Sequence, residues 1–239
     1  MMGYLIDQRS KVTVLWLRKS GCTFLMNTFY YLNTGKIYPE PVAISGDKKA
    51  VVHFRYTPRR FGPRDENKSF VVLRHPFSRF LSFYWDKIYS KSPYVIVATR
   101  KHLVSMAQNR DPGFSGFDLA ETLSLDGHIA NLHGLLNALE ENLTTKGYKI
   151  DTHYQRQSSL IEQSGGTELP IVRLDEIDRS LPGKICEACP ELPNAIKKMP
   201  RMNESPKVYP DAEMLTPEFE ERLAALYSAD LELYKAASA

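Results

Sequence analysis

The sequence has no apolar run approaching the roughly 18 to 20 residues that a membrane-spanning helix needs. Its opening, MMGYLIDQRS, lacks the charged head and apolar stretch of a secretory leader. A soluble, cytoplasmic protein is therefore expected. Cysteine is scarce, with three in 239 residues, an odd number without framework spacing, which points to a reducing compartment. Cys186 and Cys189, in CEAC, have metal-site or redox spacing, but a zinc site needs about four ligands and no second CxxC or HxxxH accompanies them. The expectation is two cysteines near a helix end and no metal. Net charge is small too, +3 from 31 Lys and Arg against 28 Asp and Glu. That excludes a polycation binding duplex nucleic acid indiscriminately, so any basic site must be local. Internal repeats and low-complexity tracts are missing as well.

What is present suits a single α/β domain over residues 1–239. Short apolar or β-branched runs bounded by polar or Pro/Gly punctuation predict strands at Val12 to Leu17, Ala50 to Phe54, Ser69 to Leu73 and Pro170 to Arg173. Apolar residues recurring at three and four predict helices from near Thr23, Pro76, Phe117, Asp126, Leu174 and Pro217. Glu218 to Tyr234 reads as one amphipathic helix that covers its own sheet or contacts a partner. Strands alternating with helices argue for a mainly parallel sheet covered on both faces, which binds its ligand at the carboxyl ends of the strands.

Lys19 to Thr23, KSGCT, leaves the first of these strands and enters a helix. Backbone N–H groups and the positive helix end converge there, as a phosphate or sulfate requires. Gly21 allows close approach, Ser20 and Thr23 offer hydroxyls, and Lys19 brings a mobile charge. The loop alone equally fits a tight strand-to-helix turn. It is not the nucleoside-triphosphatase loop G-x-x-x-x-G-K-[ST], since it holds one glycine and its lysine precedes it.

Phe70 to Trp85, FVVLRHPFSRFLSFYW, repeats the logic. An apolar strand ends at Arg74, Pro76 opens a helix, and Arg79 and Ser82 are spaced to share one of its faces. Arg74 and Ser82 could hold a second phosphate. Read separately, Arg79 is a solvated helix arginine and Ser82 a small packing residue. Phe77, Phe80, Phe83, Tyr84 and Trp85 fit a helix packed on a sheet better than a base-stacking surface. Two anion sites at neighbouring strand ends suit a nucleotide phosphorylated at both its 5′ and 3′ positions.

KSGCT followed by VVLRHPFSRFLSFY resembles the two nucleotide-binding motifs of sulfotransferases that use 3′-phosphoadenosine 5′-phosphosulfate (PAPS). The second motif is similar to the R-x-P-x-x-R-x-x-S-x-Y/F of carbohydrate sulfotransferases (sulfotransferase family 2), including the HNK-1, chondroitin and heparan 2-O types. Asp151 to Gln157, DTHYQRQ, resembles that family's D-x-H-W-x-P-Q, with Tyr154 for tryptophan and Arg156 for proline. The resemblance covers Lys11 to Tyr89 and returns at Asp151 to Gln157 and Pro170 to Ile177. It implies a three-layer α/β/α domain related to P-loop nucleotide-binding folds. By it, Lys19, Ser20, Gly21, Cys22 and Thr23 surround the 5′-phosphosulfate, and Arg74 and Ser82 the 3′-phosphate. The acceptor it implies is a small molecule or carbohydrate hydroxyl, with PAPS as donor co-substrate and no metal.

Sulfuryl transfer needs a cation at the leaving oxygen, for which Lys19 is placed, and a base at the acceptor. His53 suits the second role, because it ends the run AVVHF at the same sheet edge and an unperturbed imidazole accepts a proton near pH 7. Its distance in sequence before Arg74 is also similar to that of the proposed base in the heparan 2-O relatives. His153 is the rival, as a base or as a hydrogen-bond partner of substrate or nucleotide, with Asp151 to fix its tautomer. His75 reads as motif filler, and His102, His128 and His133 as helix-surface or packing residues. Arg55, with Arg59, Arg60 and Arg64, forms a basic loop that attracts an anionic acceptor or is merely solvated. Two other readings stay open: a magnesium-dependent phosphotransferase, which lacks its G-K-[ST], and a nucleotide- or RNA-binding module, whose binding would survive loss of Lys19 and His53.

Overall fold

The computed structural model describes residues 3–7, 12–37, 43–44, 48–49, 69–89, 96–120, 122–145, 152–177, 180, 194–195 and 209–237. By its internal contacts the chain divides into two compact units. The first comprises Met1–Arg74, Leu160–Glu204 and Tyr234–Ala239, and the second His75–Ser159 and Ser205–Leu233.

The first unit is built on a four-stranded sheet. Strands β1 (Gly3–Ile6) and β2 (Thr13–Trp16) pair antiparallel, and β2 then pairs parallel with Ser69–Leu73. Between them in sequence lies a small antiparallel ribbon, Ala43–Ile44 (β3) with Lys48–Lys49 (β4), which makes Ser69–Leu73 β5. Parallel to β5 runs β6 (Ile171–Arg173), and the sheet order is β1-β2-β5-β6. Every residue of β2 and β5 is buried, as expected of parallel strands covered on both faces. Val14, Trp16, Phe70, Val72 and Val172 face the helix α1 (Cys22–Thr34), meeting its Leu25, Met26, Phe29 and Leu32. Each such fully buried side chain contributes roughly 1.5–3 kcal/mol. Leu15, Leu17, Val71 and Leu73 alternate with these and are equally buried. On that side the stretch around Gly166 approaches so closely that a Cβ there would lie 2.9 Å from Leu15 Cδ2.

The second unit is helical. It contains α2 (Pro76–Phe83), a π-helical turn at Tyr84–Tyr89, α3 (Ile96–Arg110) and α4 (Leu125–Thr145). Helix α5 (Gln157–Gln163) begins in this unit, and α6 (Asp211–Met214), α7 (Pro217–Leu226) and most of α8 (Ser228–Ala236) complete it. Thr216 caps α7 by accepting from Phe219 N, with Pro217 in the first turn, where a missing N–H costs nothing. Phe80, Phe83, Tyr84 and Trp85 are buried in a core with Leu132, Leu136, Leu139 and Leu223. They are packing residues, not an open stacking surface. His128 is also buried. The Tyr84 hydroxyl lies 2.6 Å from its Nδ1, and burial pushes the Tyr84 phenol well up and the His128 imidazole down, so the hydrogen bond joins two neutral groups.

The result is a mixed α/β protein with a mostly parallel sheet, and three of the expected strands stand within a residue or two of their predicted bounds. The strand expected at Ala50 to Phe54 lies outside the described residues. No helix forms at Phe117. Asn131 exchanges hydrogen bonds with the backbone of Asp118 instead, at 2.8 and 2.6 Å, beside Gly116 at φ +121°. The helix expected from Leu174 starts as a 3-10 turn, Leu174–Glu176. The C-terminal helix is two helices, broken at Tyr227 with φ −112° and ψ 28°. Among the described residues no helix is long and apolar enough to cross a membrane.

Candidate active site

The carboxyl ends of β2, β5 and β6 lie on one edge of the sheet because the three strands run parallel. The loop leaving β2 has an unusual backbone. Lys19 has φ +65° and Gly21 φ +74°, with Ser20 between them. Alternating backbone hand is the geometry in which neighbouring N–H groups form an anion-binding concavity, and here the Ser20 N–H turns inward to Leu17 O. Lys19 is the sole residue other than glycine with positive φ among those described, a conformation costing about 1–2 kcal/mol. Gly21 occupies the N-cap of α1, and the first turn carries no acidic residue, so the positive end of the helix is not neutralised locally. Ser20 is fully buried, its N–H donating to Leu17 O at 3.2 Å.

Cys22 donates its thiol to the same carbonyl at 3.1 Å. Burial pushes that thiol up, against weaker opposing hydrogen bonds from the Lys19 and Ser20 backbone. It therefore stays protonated at neutral pH, closing the loop without acting as a nucleophile.

Arg74 follows the last residue of β5 and reaches back to this loop, donating from Nη1 to Lys19 O at 3.3 Å. The structure thus brings Arg74 together with Lys19 to Thr23. Arg173, at the end of β6, is a strand-end cation that the sequence reading did not single out. It donates to both carboxylate oxygens of Asp175, at 3.1 and 2.5 Å, and lies 4.5 Å over the Tyr234 ring. That pairing, aided by the Tyr234 hydroxyl, holds Asp175 down to about 2, while burial and then Asp175 push Tyr234 up to about 12. The charge of Arg173 is thus balanced by Asp175.

Leu174 is another residue that sequence reasoning missed. A Cβ on Gly21 would fall 2.5 Å from its Cδ1. Gly21→Ala combines this clash with a disfavoured φ, and is expected to weaken adenosine 3′,5′-bisphosphate binding at least ten-fold by calorimetry. Adding Leu174→Ala should restore part of the loss. An unchanged affinity in the single variant would show that the loop does not hold the ligand.

The other expected site residues lie elsewhere or outside the description. Ser82 is half-buried on α2, and His153 half-buried in the turn before α5, both in the second unit. Arg79 is not solvated. It is 3% exposed, and its guanidinium donates to Gln155 O at 2.8 Å and Thr152 O at 3.0 Å. His53, Arg55, Arg59, Arg60, Arg64, Asp151, Cys186 and Cys189 fall outside the described residues. His75 stacks edge-on against Phe77 with centroids 5.2 Å apart, and His133 does the same against Phe219, which makes both packing residues.

A mostly parallel sheet thus ends in a left-handed loop tied to a strand-end arginine, an arrangement compatible with an anionic ligand. The profile of the Sulfotransferase family matches residues 2–235, and the chain belongs to that family. It is a transferase of a family that generally uses PAPS as its donor. No curated protein and no solved structure shows significant similarity to the chain.

Proposed function

We propose that the protein moves a sulfuryl group from PAPS to a hydroxyl of a carbohydrate or glycosylated metabolite, as one sulfotransferase domain of three-layer, P-loop-related architecture working in the cytoplasm. The observation that carries this reading is the hydrogen bond from Arg74 to the Lys19 carbonyl, which joins the two motif elements at one sheet edge. In it, the N–H groups of Gly21 to Thr23 and the hydroxyls of Ser20 and Thr23 take the 5′-phosphosulfate. Arg74 and Ser82 take the 3′-phosphate. Lys19 neutralises charge on the bridging oxygen as the S–O bond breaks, help worth a few kcal/mol in such sites. His53 accepts the proton of the acceptor hydroxyl as the new O–S bond forms, and His153 and Arg55 bind the acceptor. No metal has a part in this transfer.

Calorimetry with adenosine 3′,5′-bisphosphate in the absence of magnesium tests the donor site. Micromolar binding, much tighter than that of ATP with magnesium and weakened about ten-fold or more by Arg74→Ala, is the expected result, since a charge-assisted bidentate contact is worth about 1.5–3 kcal/mol. A folded protein that ignores the bisphosphate would end the PAPS reading. Preference for ATP with magnesium would make the enzyme a phosphotransferase.

A further inference from the structure

Arg79 is a buried cation. Taking a guanidinium out of water costs several kcal/mol unless its donors are satisfied, and two of those donors go to the carbonyls of Thr152 and Gln155, 73 and 76 residues away. The same short turn is held from other directions. The Tyr227 hydroxyl donates to Tyr154 O at 2.7 Å, and Arg156 Nε to Leu226 O at 2.8 Å. The Asp230 carboxylate accepts from the backbone N–H groups of Gln157 and Ser158 at 2.7 and 2.8 Å, and from the Ser158 hydroxyl at 2.7 Å. From Thr152 to Ser158 the backbone is therefore gripped by side chains of α2, α8 and the α7–α8 junction, all in the second unit.

A surface turn needs no such grip merely to connect two elements. Tyr154 and Gln155 point inward and are buried, whereas His153 is half-buried, its ring 6.5 Å from that of Phe83. His153 is thus the side chain of the turn that carries acid–base chemistry and remains reachable. Fixing the carbonyls on either side of it fixes the backbone from which its imidazole projects, and the Phe83 ring lies 6.5 Å from it. Positioning of this kind matters because a displacement of about 1 Å can cost on the order of 10²-fold in rate.

We propose that Arg79 is a positioning residue for sulfuryl transfer: by holding the Thr152 and Gln155 carbonyls it presents His153 to the acceptor in a single orientation. The part concerning the acceptor rests on the sulfotransferase reading above. The part concerning the turn does not.

The experiment compares wild type, Arg79→Lys and Tyr227→Phe by the imidazole Cε1–H resonance of His153, assigned with His153→Gln, alongside adenosine 3′,5′-bisphosphate calorimetry. Lysine keeps the charge but, as a point donor, cannot span two carbonyls. The expected result is a single sharp His153 signal in wild type that broadens or splits in folded Arg79→Lys and, less severely, in Tyr227→Phe, with bisphosphate affinity within about three-fold throughout. A purely stabilising role would lower the melting point and leave that signal single. An unchanged His153 signal in folded Arg79→Lys overturns the proposal. If Arg79→Lys does not fold, an unchanged signal in Tyr227→Phe overturns it equally, since that variant removes one hydroxyl from the same grip. Wild type that shows the expected signals but binds no bisphosphate would refute the donor assignment and leave the Arg79 clamp standing.

Discussion

Lys19→Gly is expected to lower the turnover of PAPS about 10²- to 10³-fold while leaving the protein at least as stable as the wild type. The two effects separate because Lys19 holds a left-handed backbone at φ +65°. Relieving that conformation returns about 1–2 kcal/mol, against roughly 0.5–1 kcal/mol for the extra freedom glycine gives the unfolded chain. The catalytic loss has a different origin. As the sulfuryl group departs, negative charge grows on the phosphate oxygen it leaves, and an ammonium at that point stabilises the transition state more than the bound donor. Lys19→Ala should lose the same rate but keep the backbone strain, so its melting point should fall below that of Lys19→Gly. Bisphosphate affinity should fall as well in both variants, because the product keeps the oxygen that the ammonium meets, with its charge fully developed. Turnover within ten-fold of wild type would remove Lys19 from the chemistry.

Asp230→Ala should be among the most destabilising single changes in the chain, by about 3 kcal/mol. Asp230 is fully buried and accepts three hydrogen bonds at the start of α5. Hydrogen bonds to charged groups contribute about 1.5–3 kcal/mol, and each buried donor left unmade costs about 1–3 kcal/mol. Two backbone N–H groups would be stranded where alanine offers no acceptor, beyond the ordinary loss of a helix cap. For a chain of this length the melting point should drop by roughly 6–12 °C. Asp230→Asn, which keeps one acceptor oxygen, should fall between. A drop under about 2 °C in Asp230→Ala would mean that water replaces the carboxylate without penalty.

What the sequence discloses depends on how far apart the interacting groups lie along it. β5 is readable because Ser69–Leu73 is a solid apolar run ending in Arg-His-Pro, and α1 because Gly21 and the pattern after it mark a helix start. The turn at Lys19 to Thr23 and the strand-end position of Arg74 are readable for the same reason, since each motif is local. β1 is not, because four residues, GYLI, give too short an alternation to tell from loop. α3 escapes because its sequence, IVATRKHLVSMAQNR, concentrates no clear apolar stripe. The break at Tyr227 escapes because the surrounding pattern stays amphipathic across it. Arg79 looks like a surface residue until the carbonyls of Thr152 and Gln155 are seen beside it. Leu174 meets Gly21 only because β6 lies next to β5, a pairing that no local pattern encodes.

That last pairing has a consequence for how the protein is made. Val71 on β5 sits beside Ile171 on β6, so the edge of β5 waits for a partner synthesised one hundred residues later. At roughly 5–20 residues per second the wait is on the order of 5–20 s. Through that interval an apolar strand with an unfilled hydrogen-bonding edge is available to other nascent chains, and long-range parallel pairing is itself slow to form. The loop after β2 cannot acquire its Leu174 wall any sooner. Nucleotide-binding competence should therefore appear late in synthesis, and chains stopped shortly before Ile171 should be prone to aggregate.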